Sequence, residues 1–167
     1  ALIERFDQRV CVDQLAAGSE RRLVASVDGR FRNKPFLPAL PAKGVVIARA
    51  RKDLKLFKPA DDSMRANRVY GEPLPTPEEV RQDEAYPGQE TTVYFAGGHR
   101  HIRYKTMEPV LWPCVGAQPC RLIIIAPLGY RLRKGSKKFY REPAYLLTTD
   151  LTTPVEQLLQ YYFLRWD

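Results

Sequence analysis

The densest chemistry-bearing stretch of this chain runs from Tyr130 to Arg141. There Arg131, Arg133, Lys134, Lys137, Lys138 and Arg141 alternate with Tyr130, Phe139 and Tyr140. Basic side chains neutralise phosphates, and aromatic rings stack on exposed bases, so the mixture suits DNA or RNA. A hairpin whose rings enter a core on its other face produces the same alternation with no ligand at all. A second candidate is Asp28, which closes the apolar run Leu23 to Val27 and precedes Gly29. Ligands gather beyond the carboxyl ends of strands in open α/β sheets, which puts Asp28 where chemistry is often done; an Asp-Gly turn is the plain alternative.

Other constellations fail on spacing. His99, His101, Cys114 and Cys120 fall close together, but structural zinc sites pair their cysteines as Cys-x2-Cys to Cys-x4-Cys, and this pair is wider and interrupted by Pro119. Cross-strand surface histidines and core thiols explain the four residues. The order Gly135-Ser136-Lys137 is wrong for a phosphate-binding P-loop. Neither histidine sits in a nucleophile-and-base arrangement.

These residues need elements to position them. Leu2, Ile3, Phe6, Val10 and Leu15 recur at helical spacing before Gly18, which predicts an opening helix. Leu23 to Asp28 is apolar on both faces and reads as a buried central strand. Phe36, Leu37 and Leu40 suggest a short helix among prolines, and Val45 to Ala48 a second strand running out into Arg49, Arg51 and Lys52. From about Asp53 to about Pro143 the pattern turns β-rich, with strands expected at Val69-Tyr70, Thr92–Phe95, His101–Tyr104, Val110–Trp112 and Leu122–Ile125. Within this stretch, Glu72 to Glu90 is an acidic, proline-rich excursion in which Thr76-Pro77-Glu78-Glu79 forms a capping box. A last strand at Tyr145 to Thr149 leads to a helix start at Thr153-Pro154-Val155-Glu156, with Thr153 as cap, Pro154 as first helical residue and Glu156 reaching back. Val155, Leu158, Leu159, Tyr162, Phe163 and Trp166 then line one face, and no stop signal follows. With Ala1 already in helical register, the expectation is a piece of a longer chain.

Composition narrows the function classes. With 44% hydrophobic and 28% charged residues among 167, the composition is that of an ordinary globular domain and indicates neither disorder nor a membrane protein. Its longest uncharged apolar run, Leu122 to Leu128, is far short of the roughly 20 residues that span a bilayer. Lys+Arg 27 against Asp+Glu 19 gives a net charge of +8, which favours a polyanionic partner, with nucleic acid ahead of acidic lipid. Three cysteines without pairing logic fit a reducing, intracellular compartment.

Three stretches together resemble one family: the DDE transposases of bacterial insertion sequences, in the group marked by Tyr-x2-Arg-x3-Glu-x6-Lys on the catalytic helix. Tyr162-Phe163-Leu164-Arg165 matches the first half of that signature, whose glutamate would fall two positions past Asp167. Val27-Asp28-Gly29-Arg30-Phe31-Arg32-Asn33 looks like the strand end bearing the family's second aspartate. Thr148 to Glu156 looks like its approach to the catalytic helix.

The resemblance implies an α/β fold: an incomplete RNase H-like core at 1–52 and a β-rich insertion at 53–143. The last strand and the start of the catalytic helix would follow at 144–167. It also implies that Asp28 is a catalytic metal ligand and that Tyr162 and Arg165 contact DNA near the scissile phosphate. In the intact parent three carboxylates would hold two Mg2+ or Mn2+ ions, which activate water or a DNA 3′-hydroxyl for in-line attack on phosphorus. The first aspartate would precede Ala1, so this chain would carry one carboxylate of three and be inactive alone. The implied partners are transposon-end DNA and target DNA, with Arg131, Arg133, Lys134, Lys137 and Lys138 as a DNA-end clamp. The implied setting is the bacterial cytoplasm beside the nucleoid, with no membrane, and the parent could pair as a homodimer. Two other classes compete: a non-catalytic nucleic-acid-binding β module, and a metal-dependent nuclease of RNase H-like fold that cuts without joining.

Overall fold

The computed structural model describes residues 23–27, 44–60 and 68–164. The expected opening helix, the short helix at Phe36 to Leu40, Asp28 and Arg165 lie outside the described residues. What is described is a mixed α/β fold, mostly strands, with a curled sheet and two α-helices.

The strands are β1 (Leu23–Val27), β2 (Gly44–Ala50), β3 (Phe57–Pro59), β4 (Tyr70–Pro73), β5 (Gln89–Phe95), β6 (Gly98–Leu111), β7 (Pro119–Ile125), β8 (Gly129–Arg131), β9 (Lys138–Tyr140) and β10 (Ala144–Thr148). Helix α1 (Pro77–Gln82) falls between β4 and β5, and α2 (Val155–Phe163) follows β10. Eight strands share one sheet in the order β1-β2-β10-β7-β6-β3-β4, with β5 also paired to β6; β8 and β9 form a separate ribbon. β1 runs parallel to β2, with Leu23 opposite Gly44 and Val27 opposite Ala48. The other described pairings are antiparallel.

The strands expected within 53–143 do not build a sheet of their own. β7 pairs with β10, and β10 pairs with β2, so the ladder is continuous across the change of character at Asp53. What changes there is strand direction. The 14-residue β6 serves three partners, pairing with β5 along its first half, with β7 along its second, and with β3 at Leu111. Its register with β7 shifts between Met107 and Val110, where Pro109 has no N–H to give to a ladder.

Both faces of the central strands are buried, which is why they read as unbroken apolar runs. Val46, Ala48, Cys120, Leu122, Ile124, Tyr145 and Leu147 face one way and pack with Val80 of α1. Val45, Ile47, Ile123, Ile125 and Leu146 face the other way and pack with Leu158, Leu159, Tyr162 and Phe163 of α2. The six-residue α1 is too short to hold itself, and its ends are tied externally. At its N-terminus the capping box forms, with Thr76 N–H on Glu79 Oε2 at 2.7 Å and Glu79 N–H on Thr76 Oγ1 at 3.3 Å. Beyond its C-terminus Lys105 Nζ donates to the carbonyls of Val80, Arg81 and Asp83 at 3.3, 3.0 and 2.7 Å, filling acceptors that a helix end leaves open. No described helix is long and apolar enough to cross a membrane.

Because Leu159 is fully buried between α2 and the sheet, Leu159→Ala should cost about 2–5 kcal/mol of unfolding free energy. Tyr140→Ser, at a 63% exposed position, should stay within about 0.5 kcal/mol. Urea denaturation compares them; equal losses would mean that the α2 contact is not a core contact.

Candidate nucleic-acid interface

The ribbon β8–β9 places the basic cluster. Gly129 pairs with Tyr140, Tyr130 with Phe139 and Arg131 with Lys138. Its loop is closed locally: Ser136 Oγ donates to Arg133 O at 2.7 Å and accepts from Arg133 N–H at 3.1 Å, while Arg131 Nη1 donates to Ser136 O at 2.8 Å. Gly135 turns the chain at φ 82°, a left-handed conformation that suits glycine. The polar needs of the loop are met within itself, so Arg133, Lys134 and Lys137 stand exposed.

The rings of the ribbon do not enter a core. Phe139 and Tyr140 are exposed and Tyr130 lies at the edge of exposure. Lys138 Nζ stands 5.2 Å from the Tyr140 centroid, and the Arg141 guanidinium 5.7 Å from that of Tyr130. The ion pairs among the described residues are Arg51–Asp53, Lys58–Glu72, Arg81–Glu78 and Arg121–Glu108. None neutralises the cluster. Arg131, Arg133, Lys134, Lys137 and Lys138 therefore present cationic and aromatic surface together.

The remaining expected site residues are dispersed. Tyr162 is 3% exposed and packs in the core between α2 and the sheet, with its ring 5.2 Å from that of Phe163. It belongs to the sheet-facing stripe of its helix. Asp28 follows β1 directly in the chain. His99 and His101 lie on the exposed side of β6, where His99 meets Tyr94 edge-on at 5.3 Å and His101 Nδ1 lies 3.1 Å from Thr92 Oγ1. Cys120 sits in the core on the α1 side, where burial pushes its thiol up to about 12. The described residues hold no group of three His, Cys, Asp or Glu side chains able to share a metal ion.

The approach to α2 departs from the expected cap. Pro154, not Thr153, takes the N-cap position, and no side chain caps the helix. The Thr153 hydroxyl instead donates to the Asp150 carboxylate, and Glu156 Oε1 accepts from Tyr104 Oη at 2.8 Å. Asp150 gathers the whole turn. Its Oδ1 accepts from Thr152 N–H and Thr152 Oγ1 at 2.8 Å and from Thr153 N–H at 3.0 Å. Buried Arg121 clasps the same turn from β7, donating to Leu151 O at 2.6 Å and Thr153 O at 2.8 Å while pairing with Glu108. Farther along, the Gln160 amide bonds both backbone groups of Tyr94 at 3.0 and 2.8 Å, and Phe163 stacks on Phe95 at 4.4 Å. These tethers set where α2 starts and which face it shows the sheet.

Two features were not anticipated from the sequence. Arg121 stands directly before the apolar run that opens at Leu122, and a lone charge inside a buried strand is itself a signal that it has fixed partners. The other is a cleft between the β5–β6 turn and the base of the ribbon, signalled only by the tripeptide His99-Arg100-His101.

Burial alone would raise the Asp150 carboxyl, but the hydrogen bonds from Thr153 and Thr152 outweigh it and hold it at about 2. A depressed folded-state value contributes stability above the ordinary carboxylate range that is lost as pH falls toward 2. Asp150→Asn should therefore melt lower than the parent at neutral pH, with the gap closing in acid between about pH 4 and 2. A gap independent of pH would remove the carboxylate from this role.

Compared with protein-family models, curated proteins and solved structures, the chain has no match in any of the three.

Proposed function

We propose that this chain handles DNA as part of a DDE transposase, with an RNase H-like core and the ribbon as a clamp on the DNA end. The carrying observation is the β8–β9 ribbon, where cations with no ion pair among the described residues and exposed rings share one short element outside the main sheet. Phosphates want such cations and bases such rings. Two further features support the reading. The parallel β1–β2 pair precedes an antiparallel β extension, and Asp28 follows the carboxyl end of β1, where α/β sheets bind ligands. The tightly tied turn before α2 would hold that helix in one register while it bears on DNA.

In this reading Asp28 is one of three carboxylates that share two Mg2+ or Mn2+ ions, which supply phosphoryl-transfer chemistry when bound. The described residues offer no such group, and the work assigned to this chain is binding and orienting transposon-end and target DNA. Tyr162 and Arg165 are its proposed contacts near the scissile phosphate. Tyr162 is buried in the core between α2 and the sheet, so that contact requires α2 to uncover it when DNA binds. A non-catalytic nucleic-acid module would use the same ribbon, so the binding test covers both, and strand transfer by the full parent separates them.

Fluorescence anisotropy on two unrelated duplexes across a salt series checks the clamp. Affinity should fall steeply with salt, and each phosphate contact removed should shrink the logarithmic slope by roughly 1. The double reversal Arg133→Glu, Lys134→Glu should weaken both duplexes about equally, since phosphate contacts carry no direct base information. An unchanged slope would make the cluster a solvated face.

With Mg2+ or Mn2+ the chain alone should leave supercoiled plasmid intact. Metal-dependent nicking that Asp28→Asn abolishes would show instead that it is a self-sufficient nuclease.

A further inference from the structure

The cleft beside the ribbon is a cavity of about 280 Å³ between the β5–β6 turn and the first residues of β8, at the small end of the roughly 300–1,000 Å³ typical of ligand clefts. Its lining brings together Arg100, Arg141, His99 and His101 with Phe95 and Tyr130, and no Asp or Glu among the described residues lines it. The two guanidiniums come from different elements. Arg100 is the third residue of β6, just past the β5–β6 turn, and Arg141 follows β9.

Each guanidinium is pre-placed by a ring. Arg100 Cζ stands 5.2 Å from the Phe95 centroid and Arg141 Cζ 5.7 Å from that of Tyr130. A guanidinium that stacks on a ring keeps its edge of N–H donors, the fork that matches phosphate oxygens. No ion pair among the described residues engages either arginine. The turn that delivers Arg100 is a tight two-residue loop with Ala96 at φ 50° and Gly97 at φ 72°. Positive φ at both central residues suits a type I′ hairpin, but for alanine it is a strained conformation.

We propose that this cleft is a phosphate-binding site separate from the ribbon tip, gripping one phosphate group between Arg100 and Arg141 with His99 and His101 at its edge. The assignment of that phosphate to a DNA strand rests on the reading of the chain as a DNA-handling unit; the site itself does not. A free nucleotide offers the same chemistry, and the test distinguishes the two sources.

Calorimetric titration of the whole chain at low salt with thymidine 5′-monophosphate, inorganic phosphate and thymidine is the experiment. Both phosphate-bearing probes should bind and thymidine should not. Arg100→Gln and Arg141→Gln should each weaken the monophosphate about tenfold, the loss of one charge-assisted contact. Arg103→Gln, an exposed cation on the same hairpin outside the cleft, should change nothing, and thermal melting verifies that each variant is folded. The ribbon reversals Arg133→Glu and Lys134→Glu should leave monophosphate binding intact, so a failed clamp and a failed cleft are separable. Displacement of a labelled oligothymidylate by the monophosphate assigns the phosphate to a DNA strand. Failure to displace it, with the monophosphate bound, assigns it to a free nucleotide. Thymidine binding as well as its monophosphate, or unchanged affinity in the Arg100 and Arg141 variants, would overturn the proposal.

Discussion

Everything described here depends on covering both faces of three adjacent strands. β2, β10 and β7 carry large aliphatic side chains on each side, with Ile47, Leu122, Ile123, Ile124, Ile125 and Leu146 all at 1% exposure or less. Left facing water, such side chains would each forfeit roughly 1.5–3 kcal/mol. Each face therefore needs a cover, a helix on both, joined on the α1 side by Leu56, Leu74, Tyr86 and Trp112. α1 meets one requirement with only six residues, which explains why its two ends are tied by a capping box and by Lys105. α2 meets the other and takes with it whatever its sequence carries beyond the core.

The turn before α2 is where this packing constraint becomes a positional one. A buried guanidinium costs several kcal/mol unless its donors are filled. Arg121 fills its donors with Glu108 and with the carbonyls of Leu151 and Thr153. Asp150 adds hydroxyl and N–H partners from the two threonines that follow it. The structure thus uses Thr153 to fix the loop, and α2 begins without a side-chain cap. Thr153-Pro154-Val155-Glu156 reads locally as a capping box because local sequence does not show that a carboxylate three residues earlier competes for the same hydroxyl, or that Tyr104 lies ready to occupy Glu156. Tertiary partners won over the local signal.

Other elements were legible because their signals are local. The unbroken run Leu122 to Ile125 announces two-sided burial, and β7 has it; Thr76 to Glu79 announces a capping box, and α1 has it. Strand edges were blurred: His101–Tyr104 and Val110–Trp112 read as two strands because Glu108-Pro109 separates them, yet one long β6 passes through both stretches to Leu111. The change at Asp53 read as the start of a β-rich stretch, and strand pairing, which joins residues far apart in the chain, runs one ladder from β2 through β10 to β7. The ribbon was legible as a basic element but its rings were ambiguous, since strand alternation alone does not say whether a face meets a core. The cleft was invisible for a related reason: Arg100 and Arg141 converge only through the fold.

The ribbon and the cleft divide the labour that the proposed function requires of a basic surface. Exposed charges at the ribbon tip act through solvent, over about 10 Å at 0.1 M salt, and attract a polyanion without regard to its sequence. Their side chains are long and free, so contact costs rotamer entropy and yields little geometric definition. Arg100 and Arg141 are different. Each already stands against a ring, Phe95 at 5.2 Å and Tyr130 at 5.7 Å, and a side chain held near its binding position costs less to order. On the proposed function, a surface that first draws DNA in and then holds one point of it at a defined distance from α2 needs both kinds of cation. The Gln160 clamp on Tyr94 and the Phe95–Phe163 stack join the hairpin that bears Arg100 to the helix itself.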